Sequence, residues 1–113
     1  MKKLMIALFC GAVSMSAVAG GNVAKGQALA AKQNCAACHG ADYNKPIDPS
    51  YPKLAGQHEK YLEHALQSYK RGDGKYGRNN AIMGGQVKPL SGKDIVDIAA
   101  YLHSLPGPLV IHR

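Results

Sequence analysis

Asn34-Cys35-Ala36-Ala37-Cys38-His39-Gly40 is the stretch that decides how the rest of this 113-residue chain is read. Two thiols stand three positions apart, and an imidazole follows the second. Three ordinary readings compete for such a pair. A disulfide between them would close a tiny loop and restrain little of the chain. A thioredoxin-like dithiol sits between a strand and a helix of an α/β fold, and no segment here alternates like a strand. A zinc site from Cys35, Cys38, His58 and His64 would leave nineteen residues between Cys38 and His58 and five between the histidines. That pattern misses the usual finger spacing of about 12–15 and 3–5. The histidine immediately after the second cysteine separates all three from a fourth reading, the C-x-x-C-H attachment sequence of a c-type haem. Two thiols on a single turn match the two vinyl groups of one porphyrin and form thioethers with them. His39 is then carried beneath the ring, where its imidazole can bind the iron.

Upstream, Met1-Lys2-Lys3 is a positive start, Leu4 to Val13 is apolar apart from a Gly and a Cys, and Ala17-Val18-Ala19 supplies a small-x-small ending. This is the layout of a secretory signal peptide, with cleavage expected after Ala19, so residues 1–19 are a leader and 20–113 the domain. The apolar stretch is half the roughly 20 residues that a spanning helix needs, which predicts no stable membrane insertion once the leader is gone. Phe9 before Cys10 is too bulky for a lipoprotein site. Cleavage would leave 94 residues and, with Lys2 and Lys3 gone, lower the formal charge from +7 to +5. Cys35 and Cys38 become the only cysteines, Met83 the only methionine, and six tyrosines the only aromatics. Export in this style predicts a periplasmic location, which is oxidising.

Ninety-four residues make one small domain, and three helices are legible in it. Val23 to Gln33 is rich in Ala, Lys and Gln and must pack through small residues such as Gly26 and Ala30. Gln57 to Lys70 places Leu62, Ala65, Leu66 and Tyr69 on one face and stops at Gly72. Ser91 with Asp94 gives a cap-like start to a third, whose stripe is Ile95, Ile98, Ala99, Leu102 and Leu105 before Pro106-Gly107. Residues 40–56 and 71–90 are rich in Gly and Pro and read as loops. Loops that long in a small domain usually wrap something.

A second iron ligand is narrowed by elimination. Met83 sits in Ile82-Met83-Gly84-Gly85-Gln86-Val87, off any helical stripe and beside two glycines, in a segment read as a loop able to fold over a ring. A lone methionine is more often core filler, but this one has no companion to fill a core with. His58 and His64 stand six apart and share no face. His103 lies off the last stripe and His112 lies in a tail, so solvation is the simpler account of all four. Arg78, Asn79 and Asn80, just before Met83, stand where haem propionates could be bound.

These residues, taken in order, resemble the small class I c-type cytochromes, most closely one half of the two-haem cytochrome c4 group and its single-haem c5/c553-like relatives. The resemblance runs over residues 23–106. It rests on Cys35-Ala-Ala-Cys-His39-Gly40, Tyr51-Pro52-Lys53-Leu54-Ala55-Gly56-Gln57, Tyr61-Leu62, Met83, Pro89-Leu90-Ser91, and Asp94-Ile95 to Tyr101-Leu102. It implies an all-α fold, three main helices and loops wrapped around one covalently attached haem, with the terminal helices crossing near Gly26 and Tyr101. It implies that the Pro52 carbonyl orients His39 and that Met83 is the distal ligand. The single C-x-x-C-H implies one haem c per chain. Ala31 stands where many class I members have an aromatic, which puts the detail of the helix crossing in question.

The function expected is single-electron transfer, with both axial positions filled and no place for a substrate on the iron. The alternatives are a haem subunit of a dehydrogenase complex, or a peroxidase or gas sensor with a labile Met83. Fourteen Lys and Arg against seven Asp and Glu favour redox partner proteins with acidic docking patches. Nucleic acid is excluded as a partner by export and by the lack of any basic run.

Overall fold

The structure, a computed structural model, describes residues 20–108; the expected leader and His112 lie outside them. The described residues form five helices: α1 (Val23–Lys32), α2 (Ala36–His39), α3 (Glu59–Arg71), α4 (Ala81–Val87) and α5 (Gly92–Ser104). Three correspond to the helices legible in the sequence, with ends moved by one or two residues. Two were not expected, and α4 corrects the reading of 71–90 as loop. It is only seven residues long and contains Gly84-Gly85, so it carries no apolar period to detect.

α5 is the spine. Its start is a capping box: Asp94 N–H donates to Ser91 Oγ at 3.1 Å, and Ser91 N–H donates to Asp94 Oδ2 at 2.9 Å. Its expected stripe is buried at Ile95, Ile98, Ala99 and Leu102. α1 crosses it through the two small residues that are buried, Gly26 and Ala30. At Gly26 a methyl group would overlap the Asp97 carbonyl oxygen and stand 2.8 Å from Tyr101 Cβ. Only glycine lets the backbones approach so closely. Ala31, on the outer face, is exposed. Aromatic packing at the crossing comes instead from Tyr43, whose ring meets Tyr101 edge-on at 6.0 Å.

A buried carboxylate fastens the same crossing. Asp97 is 2% exposed, accepts the Asn22 N–H at 2.7 Å, and pairs with Lys93 one turn earlier. Burial opposes its charge, but the Lys93 ammonium and the Asn22 amide outweigh that and hold its pKa below the ordinary 3.8. A carboxylate lowered by folding contributes stability that is fully present above its unfolded pKa and fades as pH falls through the folded one. Asp97→Asn is therefore expected to cost about 1–3 kcal/mol at neutral pH, the worth of a hydrogen bond to a charged group. The loss should shrink towards zero in urea titrations of the holoprotein carried below pH 3.8.

α3 packs on α5 through Leu62 and turns Leu66 and Tyr69 towards the interior. α4 lies against α3. The Arg78 amide donates to the Ser68 carbonyl at 2.8 Å ahead of α4, and the Lys70 ammonium donates to the Leu90 carbonyl behind it. α1 and α5 thus make one solid layer, while α2, α3 and α4 stand around a hollow beside it.

Candidate functional site

The C-x-x-C-H stretch folds as one helical turn. Cys38 N–H and His39 N–H both donate to the Cys35 carbonyl, at 3.2 and 3.1 Å. Cys35 and Cys38 are free thiols, each half-buried. Burial pushes the Cys35 thiol above its ordinary pKa. Gly40 closes the turn with φ +92°, a conformation that costs glycine little. The chain then doubles back, and Ile47 N–H donates to the Cys38 carbonyl at 3.0 Å.

His39 is buried. Its Nδ1 lies 2.9 Å from the Pro52 carbonyl oxygen. A carbonyl only accepts, so Nδ1 is the donor, and in the neutral imidazole this leaves Nε2 as the nitrogen with the lone pair. Tyr51 leans over the imidazole at a ring separation of 6.3 Å.

Met83 is carried by α4, not by a loop. It is half-buried and packs against the core. The Asn80 side-chain oxygen accepts the amides of Ile82 and Met83, each at 3.0 Å. Sequence reasoning passed over this cap, although Asn80 two residues before an apolar Ile-Met pair is an ordinary N-cap signal.

One cavity collects these groups. Cys35, Cys38, His39, Pro52 and Met83 all line it, with walls from Leu54, Leu62, Leu66, Val87, Ile98 and Leu102. His58, His64 and His103 are exposed and do not line it; His103 Nδ1 is engaged by the Gln57 carbonyl at 2.8 Å. Arg78 and Asn80 reach the cavity, Asn79 does not, and Arg78 stacks on Tyr69 with its guanidinium carbon 5.4 Å from the ring centre. Among the described residues no three His, Cys, Asp or Glu side chains converge as a metal cluster, and no helix is long and apolar enough to cross a membrane.

The chemistry of this lining suits a c-type haem. Two thiols one turn apart are the groups that add to two vinyls. A neutral imidazole with a fixed tautomer and a thioether are the nitrogen and sulfur donors that iron accepts axially. The apolar walls suit the faces of a porphyrin, and the polar edge at Arg78 and Asn80 suits its carboxylates.

Known proteins give the same direction. A family model described as Cytochrome c matches residues 23–106. Cytochrome c4 of Pseudomonas aeruginosa is 46% identical over 105 residues, covering 92% of this chain and 49% of that one. Cytochrome c-554(548) of Halomonas halodenitrificans is 46% identical over 70 residues, covering 62% of this chain and 82% of that one. The crystal structure of reduced recombinant cytochrome c4 from Pseudomonas stutzeri superposes with a TM-score of 0.68 at 44% identity, covering 77% of this chain and 47% of that one. The chain thus spans about half the length of the cytochromes c4 it matches.

Proposed function

Because the chain belongs to the cytochrome c family, we propose that it is an exported carrier of single electrons, holding one haem c through Cys35 and Cys38 between His39 and Met83. The observation that carries this reading is the meeting of all four side chains at one apolar cavity.

When bound, the haem supplies a one-electron ferric/ferrous couple. The chain's own residues do the rest. Cys35 and Cys38 would hold the ring through two thioethers. Pro52 holds the Nδ1 proton of His39 and so presents Nε2 as a basic, oriented donor. Met83 offers a neutral thioether, which favours the reduced state relative to a second imidazole. Leu62, Leu66 and Ile98 keep water from the interior, so little solvent must reorient when the charge changes. If His39 and Met83 both hold the iron, the chain leaves no position there for a substrate, which supports a carrier over a peroxidase.

Met83→Ala tests the assignment. The purified ferric holoprotein is expected to lose its low-spin His/Met spectrum and its Met-to-iron absorption, and its reduction potential should fall. An unchanged spectrum would assign the sixth position to another residue.

Export to the periplasm with cleavage after Ala19 completes the proposal, supported by the layout of residues 1–19. Its partners are redox proteins. The excess of Lys and Arg supports acidic docking patches on them, where charge acts chiefly on encounter rate. Electron exchange with an acidic partner should slow by several-fold as salt rises from about 10 to 150 mM, where the Debye length shortens from roughly 30 to 8 Å. A rate indifferent to salt would remove charge from the docking.

A further inference from the structure

We propose that Asn80 keeps Met83 on the iron, a positioning role that rests on the ligand assignment above. α4 has little stability of its own. Seven residues are far too few for an isolated helix, two of them are glycines, and the first turn has no acidic side chain to complement the helix dipole. Ala81, Ile82, Gly85 and Gln86 are exposed, and only Val87 is fully buried. The far end of α4 is fastened by buried Val87 and Leu90 and by the Lys70 ammonium on the Leu90 carbonyl. The near end has the Arg78 amide on Ser68, five residues before Met83, and the Asn80 cap.

That cap acts on the ligand residue itself. A helix start leaves four amides unpaired. Asn80 Oδ1 takes two of them, and one is the amide of Met83, at 3.0 Å. The backbone of Asn80 is extended, with φ −141° and ψ 116°, in the β region that a capping residue adopts. Its side chain folds forward over the turn that bears the sulfur. Its carbonyl in turn accepts the Gly84 amide at 2.8 Å. The backbone that carries the Met83 side chain is therefore held by one asparagine more directly than by the weak helix around it. Removing that side chain frees the first turn, and Met83 leaves the iron more often.

Imidazole binding to the ferric holoprotein measures this, because imidazole enters only when Met83 is off and its apparent affinity scales with that fraction. Asn80→Ala is expected to tighten imidazole binding about fivefold, the factor that corresponds to a lost cap. Asn80→Asp, which keeps the acceptor, should return it close to the parent value. Asn80→Gly, which lacks the acceptor but tolerates the capping conformation, serves as second variant if Asn80→Ala does not accumulate, and should tighten binding too but by less than about twofold, because glycine at a cap costs only a few tenths of a kcal/mol. Asp97→Asn, destabilised at the distant α1–α5 crossing, should leave imidazole binding unchanged. Parent-like binding in both Asn80→Ala and Asn80→Gly overturns the proposal, as does an equal tightening in Asp97→Asn. Met83→Ala separates the two levels: if it binds imidazole no more tightly than the parent, the ligand assignment itself falls; if it binds much more tightly while the Asn80 variants do not, only the role of Asn80 falls.

Discussion

A chain in which Cys35→Ser and Cys38→Ser are combined is expected to emerge with no covalently held haem. Both sulfurs lie on one turn at the edge of the same cavity, and only a thiol among the side chains there adds to a vinyl group; a serine hydroxyl is far too weak a nucleophile. In a denaturing gel stained for haem the parent should give a band at the protein's own mass and the double variant none. Either single variant should keep one thioether and still stain. A double variant that retains haem through denaturation would show that the attachment lies elsewhere. Losing the ring should also loosen the fold, since a ligand that binds only the folded state stabilises it by mass action. The chain has no tryptophan, and after residue 19 its only aromatics are six tyrosines, so it has little else with which to fill the space between α3, α4 and α5.

Gly26→Val should be the most damaging single change remote from the cavity. A Cβ at position 26 would overlap the Asp97 carbonyl oxygen and press on Tyr101 Cβ at 2.8 Å. Neither is the yielding tip of a flexible side chain: one is backbone and the other is the root of a ring packed against Tyr43. Overpacking a tight interface costs about 1–3 kcal/mol and sometimes more, and here two helices must separate to relieve it, so a loss of roughly 3 kcal/mol or above is expected. Urea unfolding of the holoprotein checks it, with Lys25→Val, on the exposed side of the same helix, as the control for β-branching. Equal midpoints for the two variants would mean that α1 does not sit on α5 as described.

Much of this arrangement was legible beforehand, for identifiable reasons. α5 announces itself because its capping box and its apolar period agree. α1 was read through Gly26 and Ala30 because so weak an apolar face can pack only by bringing backbones together. The Cys-Ala-Ala-Cys-His turn is local chemistry, fixed by spacing alone. What stayed hidden depends on partners distant in sequence. Asp97 looks like a solvated charge on the polar side of its helix, and its burial follows from an amide 75 residues away. Lys70 likewise looks like an ordinary end to α3, and its use is set by the carbonyl of Leu90. α4 was missed because two glycines in seven residues erase every periodic sign, leaving the cap at Asn80 as its one local mark.

The bond from Asn22 to Asp97 spans most of the chain, and both thiols lie inside that span. Consider the polypeptide as it is delivered, N-terminus first, by the export route proposed above. On that route Cys35 and Cys38 would reach the far side of the membrane while α5 is still to be threaded. Until then α1 has nothing to rest on, and the two cysteines lie open to whatever chemistry is waiting there. The last helix to arrive is the latch. On that route its delay would set an interval in which the cofactor could be joined before α1 is latched, so the order of the sequence would double as a timetable for assembly.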